Sequence, residues 1–338
     1  MKIHLHCFSY GRAPSQELAA LCEKVFYYPR KTGLFSNFSS LPYTVKSRQS
    51  KELEKNLLAN DYPILFEVLH TCYLLNDERF KNRIKIYRHS NIEHLYYQHL
   101  ASAEKNFIKR IYLKLEAKKL EKFEHVLFNA NYILAVNEED AQYFRKRYPQ
   151  PKTIYLPSFH ANSSIDIKTG KGDFILYHGN LSVSENYKAA EWLIDKVLSK
   201  IDNPAVIAGL NPPGFLKLKV SKHKNIRLIE NPSNDAMDNL LEKAQLHCLH
   251  TSQGTGLKLK LLNVLYKGRF ILCNQKMLEG TGIKENETLT ICNSPEEYLS
   301  SIKRLMTAEF TEKLITQRKD SVQAFDNEKN IQTLVSLL

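Results

Sequence analysis

Residues 244–268, AQLHCLHTSQGTGLKLKLLNVLYKG, constrain the fold more than any other stretch of the chain. An apolar run of strand length, 244–250, passes through Gly254 and Gly256 into a segment in which Leu257, Leu261, Leu262 and Leu265 recur at helical spacing. A strand that turns through glycines directly into a helix is the building unit of parallel α/β sheets. Glycines at such a turn let the backbone approach a ligand, and the free N–H groups and positive dipole end of the helix would face an anion. Lys258 and Lys260 add full charge to that turn. An ordinary α/β turn with two solvated lysines would show the same residues, so the rest of the chain must decide.

The first half alternates strands and helices as a doubly wound sheet does. Strands are expected at 3–8, 63–70, 84–88, 132–136 and 153–156, with helices at 15–24, 51–59, 101–128 and 137–148. The strand 63–70 ends in His70, and in parallel sheets ligands gather at the C-terminal strand ends. The strand 84–88 runs into His89, Ser90, Asn91, Ile92, Glu93 and His94, a cluster able to bind sugar hydroxyls or move a proton. The same Ser90-to-Glu93 stretch spells a capping box. In 101–128, Phe107, Ile108, Ile111 and Leu115 fall on one arc, expected to pack on the sheet, while seven lysines and arginines crowd the remainder. That basic side is read as a solvated face or as a peripheral contact with anionic lipid.

Residues 157–172 are polar, glycine-bearing and without periodicity, as expected of a linker. A second α/β set follows, with strands at 174–178, 205–208, 226–229, 270–273 and 289–292, a turn at Gly179 and Asn180, and the only tryptophan, Trp192, on the helix 186–199. Across 338 residues, 43% apolar and 25% charged side chains describe an ordinary folded chain of two domains. The six cysteines are scattered and form no Cys-x-x-Cys pair, as expected of reduced core residues in the cytoplasm. Lysine and arginine exceed aspartate and glutamate by 12, which points to anionic partners. A nucleic-acid partner is not expected, because no zinc-finger spacing, RNA-recognition signature or basic tail occurs.

Two α/β domains joined by one linker resemble the two-Rossmann-domain (GT-B) glycosyltransferases. The resemblance sits on YHGNLSVSENYKAAEWL at 177–193, on GTGLKLKLLNVLYKGRFIL at 254–272, and on YRHSNIEHLYY at 87–97 with LEAKKLEKFE at 115–124. The second of these is similar to a segment of retaining, glycogen-synthase-like members. It implies an α/β fold of two Rossmann-like domains facing each other across a cleft. The expected division is an acceptor-side domain at 1–157, a linker at 158–172, a nucleotide-sugar domain at 173–308, and helices at 309–338 that return to the first domain. The implied activity is transfer of a sugar from a nucleotide-diphosphate sugar to a glycan or lipid-linked acceptor, with retention and with no metal or other cofactor. A non-catalytic nucleotide- or carbohydrate-binding protein on the same fold is the alternative. The implied location is cytoplasmic, with peripheral contact to an anionic membrane.

Carried over residue by residue, the resemblance assigns donor contacts to Gly179, Asn180, Ser252, Gly254, Thr255, Gly256, Lys258, Lys260 and Asn263, and catalytic roles to His70, His89, Ser90, Asn91 and Lys258. Three features depart from it. Asn263 stands where many members carry a carboxylate, Asn180 and Glu185 where many carry arginine and lysine, and His89 one place before the motif histidine. A one-residue offset on a strand turns a side chain to the other face.

Overall fold

The computed structural model describes residues 1–9, 11, 13–33, 39–252 and 259–338. They divide into two compact units, Met1–Leu156 with Leu334–Leu338, and Pro157–Thr333. No described helix is long and apolar enough to cross a membrane.

The first unit contains, in order, β1 (His4–Phe8), α1 (Gln16–Leu21), β2 (Lys24–Tyr28), α2 (Tyr43–Lys46), α3 (Lys51–Leu58), β3 (Ile64–Glu67), β4 (Lys85–Arg88), α4 (Glu93–Ala103), α5 (Phe107–Phe123), β5 (Tyr132–Ala135), α6 (Glu138–Arg147) and β6 (Lys152–Tyr155). Strands β3-β4-β5-β6 pair in sequential order, all parallel, and β1 and β2 form a separate parallel pair. Ser15 caps α1 by accepting the Leu18 N–H, as expected, but the helix stops at Leu21 and a strand not predicted, β2, begins at Lys24, where the predicted helix ended. A single core gathers Phe66, Tyr87, Ile133 and Ala135 from the strands with Leu53, Leu57, Leu120 and Phe144 from the helices.

Two expectations fail in this unit. The predicted helix 101–128 is two helices and a closing 3-10 turn, and α5 buries Leu113, Glu116, Ala117 and Leu120. The arc expected to pack on the sheet points outward, with Ile108 79% and Phe107 63% exposed. The Ser90 capping box is also absent: α4 is entered from Ile92 without a side-chain cap, and Glu93 is its first residue.

The second unit contains β7 (Ile175–Asn180), α7 (Ser184–Lys196), β8 (Ala205–Leu210), α8 (Gly214–Val220), β9 (Ile226–Glu230), α9 (Asn234–Lys243), β10 (Leu246–Leu249), α10 (Leu259–Lys267), β11 (Phe270–Cys273), α11 (Gln275–Leu278), β12 (Leu289–Ile291), α12 (Pro295–Leu305), α13 (Glu312–Ser321) and most of α14 (Asn327–Val335). Its six parallel strands run β12-β11-β10-β7-β8-β9. Counted within the unit, that is the 3-2-1-4-5-6 order of a doubly wound nucleotide-binding sheet. Successive strand residues enter opposite cores: Ile175, Tyr177, Ala205, Ile207, Leu246 and Cys248 join one, while Leu176, Val206, Ala208 and Leu249 join the other. A period-two alternation with both faces apolar is what a sheet covered by helices on both sides requires.

The winding reverses between β7 and β10, which are hydrogen-bonded neighbours. In such sheets the crevice outside the carboxyl ends of the two strands at the reversal is where ligands bind. Close strand approach continues at the end of β7. Gly179 lies opposite Gly209, and a Cβ added to Gly209 would sit 1.8 Å from the Gly179 carbonyl oxygen.

The C-terminal helices complete the second unit. Arg318 of α13 is fully buried and donates to the carbonyls of Val264 (3.3 Å), Leu265 (3.0 Å), Gly268 (3.0 Å), Arg269 (2.6 Å) and Thr288 (3.2 Å), and to the Thr288 hydroxyl (3.0 Å). It closes the end of α10 in place of water.

Candidate functional site

The turn after β7 and the start of α10 meet at the reversal point. Lys260, in the first turn of the described α10, donates from Nζ to Asn186 Oδ1 at 2.9 Å and stands 5.5 Å from the centre of the Tyr177 ring. Asn186 itself lies in the first turn of α7, where its amide also donates to the Asn180 carbonyl at 3.0 Å. Thr251, buried just past β10, donates its hydroxyl to Glu185 and its backbone N–H to Asn274 Oδ1 at 3.2 Å. Residues far apart in sequence, Glu185 and Asn186 on one side and Thr251 and Lys260 on the other, are thereby joined by side chains at the C-terminal ends of two adjacent strands.

A stack of rings borders them. His250 lies face to face with Trp192 of α7, centroids 4.0 Å apart and planes within 6°, and edge-on to Tyr298 of α12. Burial, then the ammonium groups of Lys260 and Lys276, hold the His250 imidazole down at about 4, so it is neutral at physiological pH. His178, inside β7, is buried and held at about 4 by burial first and Lys260 second. Neither of its ring nitrogens finds a hydrogen-bond partner among the described residues. Lys276, in the short helix after β11, donates to the Ser252 carbonyl at 3.2 Å. Two lysines with neutral rings beside them make a cationic end of the sheet.

Of the donor residues read from the sequence, Asn180 and Lys260 lie in this constellation. Asn180 is exposed and folds its own turn, Oδ1 accepting from the Ser182 N–H and hydroxyl. Gly179 packs against its own chain, since an added Cβ would meet Asn186 Cγ at 3.2 Å. Ser252 is exposed and contributes its carbonyl to Lys276. Asn263 accepts from the Asn162 amide at 3.2 Å, so its side chain anchors the segment after residue 157. Gly254, Thr255, Gly256 and Lys258 lie outside the described residues.

In the first unit His70 opens a 3-10 turn after β3, with Nε2 3.1 Å from Glu93 Oε2. The turn is entered through Val68 at φ 60°, a left-handed conformation that a β-branched side chain resists and that packing must hold. Glu93 is buried and His70 partly exposed, so a carboxylate fixes the ring from behind. His89 is not available for catalysis. Its side chain is wholly buried, Nδ1 accepts the Val136 N–H at 3.2 Å, and Nε2 is 2.7 Å from Asp140. The backbone donor fixes the tautomer with the proton on Nε2, and both nitrogens are occupied. Ser90 is exposed and Asn91 partly exposed beside it.

Sequence reasoning did not single out Asn186, Thr251, His250 or Lys276 as site residues. The signal for each was position: Asn186 opens the helix after the Gly179 turn, Thr251 and His250 close the strand before the glycines, and Lys276 follows the next strand.

No family model matches the sequence. An uncharacterized 44.6 kDa protein in the cps region of Klebsiella pneumoniae is 27% identical over 301 residues, covering 83% of this chain and 75% of that one. Among solved structures, sucrose-phosphate synthase from Thermosynechococcus elongatus superposes with a TM-score of 0.64 at 12% identity, covering 99% of this chain and 98% of its own. The chain has the GT-B fold. A UDP-forming α,α-trehalose-phosphate synthase from Burkholderia xenovorans agrees, with a TM-score of 0.63 at 10% identity over 100% of this chain and 98% of its own. In a GT-B fold the two units are the Rossmann-like domains expected from the sequence.

Proposed function

We propose that the protein is a glycosyltransferase that moves a sugar from a nucleoside-diphosphate sugar to a glycan or lipid-linked acceptor. The observation that carries this reading is the joining of Lys260 to Asn186 and Thr251 to Glu185 across the reversal point of the second sheet. Similarity to named synthases supports it, one of them UDP-forming, and the cps-region relative supports a polysaccharide as the acceptor.

On this reading Lys260, with Lys258, neutralises the diphosphate as the glycosidic bond breaks. Charge stabilisation at a leaving group is a large catalytic term. The neutral rings of His178 and His250 keep competing charge away from the lysines. In the first unit His70, oriented by Glu93, hydrogen-bonds hydroxyls of the sugar or acceptor. Transfer proceeds with retention, which the similarity of 254–272 to retaining members supports, and the anomer formed, read by NMR, reports it.

The deciding experiment is a thermal titration of the purified chain against UDP, GDP, ADP and TDP. A ligand that binds only the folded state adds about 2.7 kcal/mol at a hundredfold excess over its Kd. UDP is expected to raise the midpoint most. If no nucleotide raises it, the donor-binding reading is wrong. If one does but no nucleotide sugar is hydrolysed or transferred, the chain binds without catalysing.

A further inference from the structure

We propose that α5 is a membrane-docking surface that lies in the plane of an anionic lipid bilayer. This goes beyond the donor chemistry, concerns the first unit alone, and stands or falls independently of it.

The orientation of α5 is fixed from its inner side. Glu116 is buried there and accepts the Tyr43 N–H at 2.7 Å and the Lys119 ammonium at 2.9 Å, while Leu113, Ala117 and Leu120 fill the space around it. At about 100° per residue those four side chains span roughly a quarter of the helix circumference. Phe107, Ile108, Ile111 and Leu115 take a different arc, about 100° wide, and all four are exposed. They occupy the first half of the helix, so they form one patch and not a stripe shared with the core. Isolated surface hydrophobes need no explanation, but four contiguous ones on two and a half turns do.

Charge says what covers them. Lys105, Arg110, Lys114, Lys118 and Lys122 flank or follow the patch, and all but the half-buried Arg110 are exposed. Glu104, just before the helix, is engaged by Lys109 at 2.7 Å. Arg110 lies 5.5 Å from the Phe107 ring, placing a cation at the patch edge. An apolar face rimmed by lysine and arginine on a helix too short and too charged to span is the arrangement that inserts shallowly among headgroups, with cations meeting lipid phosphates. A soluble protein partner would cover the apolar patch without requiring this surplus of positive charge.

The test is co-sedimentation of the full chain with two kinds of vesicle, phosphatidylcholine alone and phosphatidylcholine with about a third phosphatidylglycerol, at low and physiological salt. The wild type is expected to bind the anionic vesicles at least tenfold more strongly than the neutral ones. Ile108→Ser with Leu115→Ser changes only exposed side chains, leaves the melting midpoint unchanged, and is expected to reduce binding at least tenfold. Lys114→Gln with Lys118→Gln is expected to weaken binding and flatten its salt dependence. Failure of the wild type to sediment with anionic vesicles overturns the proposal, as does undiminished binding by the double serine variant. Light scattering adds a third overturning result: a dimer that the double serine change dissociates, with no lipid binding by either protein. Because nucleotide titration does not involve α5, loss of lipid binding with intact nucleotide binding separates this surface from the donor site.

Discussion

Arg318→Met tests whether the C-terminal helices hold the second unit together. The guanidinium meets five backbone carbonyls and one hydroxyl in a fully buried position, and methionine fills much of the volume while removing every donor. Removing one side of a buried charged network costs about 3–5 kcal/mol, because the groups left behind have no water. The lower end applies here. Burial pushes Arg318 down to about 9, so its charge opposes folding and the carbonyls offset that cost. A loss of about 3 kcal/mol in a unit of this size lowers its midpoint by roughly 6–12 °C. Differential scanning calorimetry should show one transition, that of Pro157–Thr333, moving down. Arg318→Lys should recover little, since three donors on a flexible stem cannot reach carbonyls spread over the end of α10 and the start of β12. A midpoint within about 2 °C of wild type for the methionine variant would refute the argument that this contact anchors the C-terminal helices.

Two further outcomes are expected. Lys258→Ala with Lys260→Ala should weaken nucleoside-diphosphate binding by about 10–100-fold in calorimetric titration, the cost of losing charge-assisted phosphate contacts of roughly 1.5–3 kcal/mol, with the circular dichroism spectrum unchanged; unaltered affinity would remove both lysines from the site. His178 takes up its proton only at about 4 when folded but near 6.5 when unfolded, so the unfolded chain binds more protons between those values and stability falls as pH drops through that window. Urea midpoints measured from about pH 7 down to about pH 4.5 should therefore decline, less so in His178→Gln, and an equal decline in the variant would exclude this histidine as a cause.

Much of the second unit was legible because its signals are local. Each strand is a short apolar run, several turns carry glycine or proline, as at Gly179, Pro212 to Gly214 and Gly268, and the run 244–268 spells strand, turn and helix without outside help. The first unit hid more, because α5 carries two apolar arcs. Phe107, Ile108, Ile111 and Leu115 are the bulkier set, and periodicity alone assigns the bulkier set to the core. The core instead took Leu113, Ala117 and Leu120, since the small Ala117 permits close packing and Glu116 finds partners at Tyr43 and Lys119. Partners 73 residues apart in the chain are not written in a helical wheel. The same holds for the histidines. His89 looks catalytic until Val136 and Asp140 occupy both its nitrogens, and Glu93 looks like a cap until it is found against His70.

The departures from the glycosyltransferase motif look different once their partners are known. A carboxylate at position 185, where a base is common, would repel a diphosphate if it faced the crevice. Here the Glu185 carboxylate accepts the Thr251 hydroxyl, so it ties the β7 turn to the end of β10 and its charge is partly satisfied within the protein. The missing cation is compensated on the opposite side of the reversal point, where Lys260 is held by Asn186 and Lys276 by the Ser252 carbonyl. Asn263 likewise has a partner within the protein, accepting a hydrogen bond from Asn162. In this chain the lysines stand beyond the later strands of the sheet, and the neutral His178 and His250 lie beside them. A site arranged this way should grip the diphosphate more firmly than the ribose. UDP and UMP are therefore expected to differ in affinity by more than UDP and 2′-deoxy-UDP.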